Sequence, residues 1–262
     1  MVCYRHPDRE TGVSCQRCER YICPECQTPS AVGFLCPEDS RVPVVERVRA
    51  SAVPFVTYTL IALNVAAYFA QWTLPGFTDS FLYVPAFTGI EPWRMVTAGF
   101  LHSTSQITHI LFNMYSLFIL GRALESVLGA GRFLALYLLS ILGGSVAVLL
   151  FTSPNSSVLG ASGGIWGLML AYFIVLRSLG YRSNGFVGLI AVNAVLSFLP
   201  GISWQAHVGG AIIGGVIALI YSKTRKREQR GVQTGALFLV LAALIAVSYV
   251  AVQNLSALYY FQ

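Results

Sequence analysis

The sequence predicts an all-α polytopic membrane protein with a small metal-stabilised domain at its amino terminus. Three observations carry that expectation. Hydrophobic residues make up 55% of the 262 and charged residues only 11%, where a soluble domain carries about a quarter charged residues. Beyond Pro54 the apolar residues gather into seven long runs. All six cysteines, in contrast, fall within the first 36 residues. Two regions of different physics are therefore joined by a linker at residues 41–53.

Residues 1–40 form the first unit. Its potential ligands come as four pairs, each with two residues between its members: Cys3 and His6, Cys15 and Cys18, Cys23 and Cys26, Cys36 and Asp39. Eight such groups suffice for two tetrahedral zinc ions. A disulfide framework is the competing reading, and it is disfavoured by the cytosolic location expected below, where thiols stay reduced. A segment this short and polar cannot build a sufficient apolar core, so bound metal would supply its stability. The start of the chain is polar, with no apolar stretch behind a basic one, and no cleavable signal peptide is expected.

A hydrocarbon core of about 30 Å needs about 20 apolar residues per helix. Runs at 55–72, 107–121, 132–151, 161–177, 186–200, 203–221 and 235–254 meet or approach that length. The shorter ones are tolerable inside a bundle, where neighbours or a water-filled cavity cover their ends. Basic residues alternate between connections: Arg41, Arg47 and Arg49 precede span one, Arg122 and Arg132 follow span two, and Arg177 and Arg182 follow span four. Lys223, Arg225, Lys226, Arg227 and Arg230 follow span six, and the opposite connections hold only Arg94. The positive-inside rule then puts the amino terminus in the cytosol and the carboxyl terminus outside. Residues 54–222 hold six spans, 223–234 a basic cytosolic loop, and 235–262 the seventh span and the terminus. The net charge of +6 is spread over span ends rather than gathered on a polar face, which argues against a nucleic-acid partner. The expected location is the cell membrane of a bacterium, with the lipid bilayer as the principal surrounding.

Spans two, four and six enter from outside. Each carries polar groups near its outer end: His109 and Asn113 four residues apart on one helical face, Ser162 in the stretch GASGGIWG, and His207. Buried polar groups in a membrane default to function, although a lone serine there commonly packs or back-bonds to a carbonyl. Elimination favours function. The acids beyond residue 53 are Asp79, Glu91, Glu125 and Glu228, none in the outer half of a span, which excludes a paired-aspartate hydrolase. No H-E-x-x-H run exists, Lys223 and Lys226 are cytosolic, and no cysteine lies beyond Cys36. A zinc protease of the H-E-x-x-H type, a Ser-Lys dyad and a thiol nucleophile are thereby excluded. A hydroxyl with a histidine remains, and histidine can both accept the hydroxyl proton and return it to a leaving amine.

Close approach of spans four and six would bring Ser162 and His207 together. Gly163-x-x-x-Gly167 and Gly210-x-x-x-Gly214 allow such an approach. No carboxylate is available to orient His207, so a dyad is expected and not a triad. Asn113 and His109 can supply donors for a tetrahedral oxyanion. The G-x-S-x-G pattern of soluble hydrolases is also matched by GASGG, but that motif requires a strand-turn-helix context absent from a seven-span chain.

Together these residues resemble the rhomboid family of intramembrane serine proteases over about residues 55–221. The resemblance rests on Trp93-Arg94, His109-x-x-x-Asn113, Gly160-Ala-Ser162-Gly and Ala206-His207-x-Gly-Gly, in that order. It implies a six-helix core, here with one extra carboxyl-terminal span, and a water-filled cavity opening from the outer face. It further implies Ser162 as nucleophile, His207 as base, and Asn113, His109 and the Ser162 N–H as oxyanion donors. Trp166 stands where many relatives carry a tyrosine packed on the histidine ring. His102 is read as a loop residue without a catalytic role. The implied substrate is a transmembrane helix of another protein, entering laterally beside span five and the first outer loop, with a small residue at the cut. A catalytically silent membrane-protein binding relative is the alternative. The amino-terminal spacing resembles a B-box-type, cross-braced zinc finger, in which the first and third pairs share one ion and the second and fourth the other. Asp39 takes a place where cysteine or histidine is more usual. Such modules bind proteins, so a cytosolic protein partner is expected.

Overall fold

The computed structural model describes residues 1–30, 33–40, 53–181 and 184–260. Most of the expected linker, with Arg41, Arg47 and Arg49, lies outside the described residues, as does Arg182. The amino-terminal unit contains a two-residue antiparallel ladder, β1 (Thr28–Pro29) on β2 (Phe34–Leu35). Its buried interior is made largely of Cys3, Cys15, Cys23, Cys26 and Cys36 with Ile22 and Leu35. Two aliphatic side chains among five thiols make a poor core, as the composition implies.

Each expected span coincides with a helix: α1 (Phe55–Thr73), α4 (Ile107–Leu128), α5 (Ala130–Phe151), α6 (Ser162–Ser178), α7 (Asn184–Leu196), α8 (Trp204–Lys223) and α9 (Arg230–Tyr260). The segment between α1 and α4 holds two short helices, α2 (Phe77–Phe81) and α3 (Arg94–Thr97). Among the described residues four helices, those within 107–128, 130–151, 204–223 and 227–255, are long and apolar enough to cross a membrane. The 17 residues of α6 span about 26 Å. This helix is central, packed on α8, α5 and α4. It presents Gly163, Gly164, Gly167, Leu168 and Ala171 as buried residues, so protein rather than lipid covers much of it.

Span two is longer than its apolar run suggested. Arg122 and Glu125 end the run, yet the helix continues to Leu128 because both charges are accommodated. The Arg122 guanidinium lies 4.8 Å from the Phe118 ring centroid. The Glu125 carboxylate accepts hydrogen bonds from Val56 N (2.9 Å), Thr57 N (2.8 Å) and Thr57 Oγ1 (2.7 Å). It thereby caps the start of α1 from a neighbouring helix, satisfying donors that a helix amino terminus leaves open. Arg132, expected in a connection, lies near the start of α5 and donates to Gln233 at 2.7 Å, tying α9 to the bundle.

The opposite end of α6 is closed by a left-handed Gly180 (φ 84°). Tyr181 N donates to Leu176 O at 3.0 Å and Gly180 N to Arg177 O at 3.1 Å, the paired bonds of a Schellman stop. The amino-terminal unit touches this turn: the Arg17 guanidinium lies 5.4 Å from the Tyr181 ring centroid and donates to Leu179 O.

Candidate active site and metal centres

Ser162 is the first residue of α6, and the backbone before it is held by the segment between α1 and α4. Tyr83 and Val158 exchange backbone hydrogen bonds of 3.0 and 2.9 Å, and Gly160 N donates to Ala98 O at 2.9 Å. That segment is itself fixed by Arg94, which bonds the Glu91 carboxylate, Asp79 O and Leu82 O. Gly160 adopts φ 132°, a conformation that favours glycine, and turns the chain into α6. The first N–H groups of α6, at Ser162 and the glycines after it, have no intrahelical acceptor.

His207 lies in the first turns of α8. Its Nε2 is 2.8 Å from Ser162 Oγ, and its Nδ1 is 2.7 Å from Ser197 Oγ. The Trp166 ring stacks on the imidazole at 5.6 Å between centroids with 28° between planes. The meeting of α6 and α8 depends on glycine. A Cβ on Gly210 would overlap the Gly163 carbonyl, and one on Gly214 would overlap the Gly167 backbone. Helix α5 joins the same seam: a Cβ on Gly144 would sit 2.8 Å from Ala206 O.

His109 faces the site from α4, and Asn113 lies one turn further along that helix. Ser103 N donates to His109 Nδ1 at 3.2 Å. A neutral ring therefore carries its proton on Nε2, the nitrogen turned towards Gly160, where a built Cβ would lie 3.0 Å from it and 3.7 Å from Ser162 Oγ. Asn113 Nδ2 donates one proton to His109 O at 2.8 Å, which leaves its second N–H free to donate. His102 does lie in a loop, but it is wholly buried and edge-on to His109, with 5.1 Å between ring centroids. Gln71 clasps its backbone through two 2.9 Å bonds. Gly160, Gly163, Ala206 and Ser145 border a small cleft between the start of α6 and α5.

Residues 90–224 match the family described as the Rhomboid domain, just over half of the chain. The chain belongs to the rhomboid family. This rhomboid is 29% identical over 205 residues to rhomboid protease AarA of Providencia stuartii, covering 63% of this chain and 72% of the relative. It is 37% identical over 147 residues to the putative rhomboid protease YdcA of Bacillus subtilis (strain 168), covering 53% and 71%. It is 35% identical over 139 residues to RHOMBOID-like protein 6, mitochondrial, of Arabidopsis thaliana, covering 50% and 44%. This rhomboid thus spans less than half the length of that plant relative. It is a multi-pass membrane protein.

The amino-terminal ligands assemble as two clusters: Cys3, His6, Cys23 and Cys26, and Cys15, Cys18, Cys36 and Asp39. His6 Nδ1 lies 3.8 Å from Cys3 Sγ, 3.2 Å from Cys23 Sγ and 3.5 Å from Cys26 Sγ. Asp39 Oδ2 lies 3.2 Å from both Cys15 Sγ and Cys36 Sγ, and Cys18 Sγ 3.8 Å from Cys36 Sγ. A tetrahedral zinc ion with bonds of about 2.0–2.3 Å spaces its ligand atoms by roughly 3.3–3.8 Å, close to the separations within both donor sets. No cysteine is in a disulfide. Backbone N–H groups point at the sulfurs, Cys36 N to Cys15 Sγ at 3.2 Å and Asp39 N to Cys36 Sγ at 3.4 Å, as outer-shell donors do around thiolates. Burial, with the neighbouring Cys3 and Cys23 sulfurs, pushes the Cys26 thiol up to about 11. A bound zinc ion would hold Cys26 as a thiolate at neutral pH.

Two groups at the candidate active site escaped the sequence reading. Ser197 is one of several serines near a span end, and nothing in its spacing marks it. The Gly143-Gly144 pair of α5 carried a visible signal, since it is the same small-residue signature read on spans four and six.

Proposed function

We propose that this rhomboid is an intramembrane serine endopeptidase that cuts peptide bonds in or near transmembrane segments with Ser162 and His207. The observation that carries the reading is the 2.8 Å contact between Ser162 Oγ and His207 Nε2, within the reach a nucleophile and its base require. His207 Nε2 takes the Ser162 proton as Oγ attacks the scissile carbonyl carbon. The oxyanion so formed is met by the Ser162 N–H at the positive end of α6, by His109 Nε2–H and by the free Asn113 N–H. His207 then protonates the leaving amine and the C–N bond breaks. Water, losing its proton to His207, hydrolyses the acyl-Ser162 ester and restores the hydroxyl.

A small substrate residue at the cut is proposed, facing the glycine-rich turn that leads into Ser162. A transmembrane helix entering laterally past the exposed face of α7 is the proposed substrate. The domain limits 1–40, 41–53, 54–222, 223–234 and 235–262 are proposed on the same basis. So are a cytosolic amino terminus in a cell membrane and two structural zinc ions. A cytosolic protein partner is proposed for the zinc unit.

Labelling of purified protein with a fluorophosphonate tests the reading. Wild type is expected to react, Ser162→Ala not at all, and His207→Ala at least about 100-fold more slowly. Equal labelling of Ser162→Ala and wild type would remove the nucleophile assignment. Absence of labelling in wild type would favour a catalytically silent binding protein.

A further inference from the structure

We propose that Ser197 is a positioning residue for His207, extending the pair into a hydrogen-bonded chain of Ser197, His207 and Ser162. The inference rests on the Ser-His reading above and adds the group that selects the working form of the base. Ser197 is the first residue beyond α7 and is 5% exposed. The following turn, which contains Pro200 and a left-handed Gly201 (φ 82°), brings it back over the start of α8. Its Oγ lies 2.7 Å from His207 Nδ1 and 2.9 Å from Asn193 O.

A hydroxyl has one proton to give. Asn193 O is a carbonyl and can only accept, so it takes that proton. Ser197 Oγ must then accept from His207, which places a hydrogen on Nδ1 and leaves the Nε2 lone pair facing Ser162 Oγ. This is the one neutral tautomer in which His207 can act as a base towards Ser162. In the other, Nε2–H would donate to Ser162 and no lone pair would face the nucleophile. Trp166 covers one face of the imidazole, and the Ser197 bond fixes the ring edge opposite Ser162. A serine oxygen does for tautomer and orientation what a carboxylate does in a triad, without placing a negative charge in the membrane. It also makes the end of α7, which is otherwise largely exposed, part of the catalytic assembly.

The test uses full-length protein in proteoliposomes. It measures kcat and KM on a model transmembrane substrate, together with the rate of acylation by a fluorophosphonate too small to need α7 for entry. Ser197→Ala is expected to lower kcat and the acylation rate together by about 10- to 100-fold, with KM within about twofold. Ser197→Thr, which keeps the hydroxyl, is expected to recover most of both. Wild-type acylation in Ser197→Ala, or a loss that Ser197→Thr does not recover, overturns the inference. His207→Ala run in parallel separates the two levels of the reading. If His207→Ala is inert and Ser197→Ala is not impaired, only the positioning role fails; if His207→Ala acylates normally, the Ser-His reading fails with it.

Discussion

Gly160 shows how much chemistry rests on an absent side chain. Its φ of 132° is strained for any residue with a Cβ, and that Cβ would sit 3.0 Å from His109 Nε2 and 3.7 Å from Ser162 Oγ, where the proposed oxyanion would fit. Gly160→Ala is therefore expected to cost about 1–2 kcal/mol in thermal unfolding and to slow fluorophosphonate acylation at least about tenfold. A variant with normal acylation would show that the oxyanion forms elsewhere. At this scale the sequence singled out Ser162 and His207 as the proposed pair through elimination, because a chain with so few ionisable groups leaves few alternatives, and the structure brings them within 2.8 Å. Ser197 stayed hidden, since its contact with His207 exists only through the turn at Gly201. The burial of His102 was hidden too, because loop sequence does not disclose that Gln71 of another helix pins it.

The glycine seam belongs to the scale of helices. The small-residue spacing on spans four and six announced it, and α5 completes it through Gly143 and Gly144. Gly210→Ala forces a methyl into the Gly163 carbonyl, and such overpacking costs about 1–3 kcal/mol. Separation of α6 from α8 would also lengthen the Ser162–His207 contact, so acylation is expected to fall about tenfold along with the unfolding temperature. Gly188→Ala in α7 has open space around it. It serves as the control, neutral or stabilising by up to about 1 kcal/mol. Span ends were harder to read than spans. Hydropathy alone stops span two at Gly121, whereas Glu125 has its charge satisfied by the donors at the start of α1 and so permits two further turns.

Across the whole molecule, the segregation of cysteines from apolar runs made the two-part organisation legible. The irregular segment 74–106 was not, because its shape comes from Arg94 gripping distant carbonyls rather than from any periodicity. Metal analysis of purified protein is expected to find about two zinc ions per chain, and about one in Cys15→Ser, since each cluster binds separately. Chelation is expected to unfold residues 1–40 while leaving Ser162 acylation within about twofold, because Ser162 and the turn touched by Arg17 lie at opposite ends of α6, about 26 Å apart. A larger effect on acylation would mean that the metal unit acts on the protease core. The seam between α6 and α8 carries one more consequence. Where two helices meet backbone to backbone there are no rotamers to freeze on assembly and none to loosen on warming. The spacing of Ser162 Oγ and His207 Nε2 is thus tied to peptide dimensions through the backbone contacts of Gly163 with Gly210 and of Gly167 with Gly214.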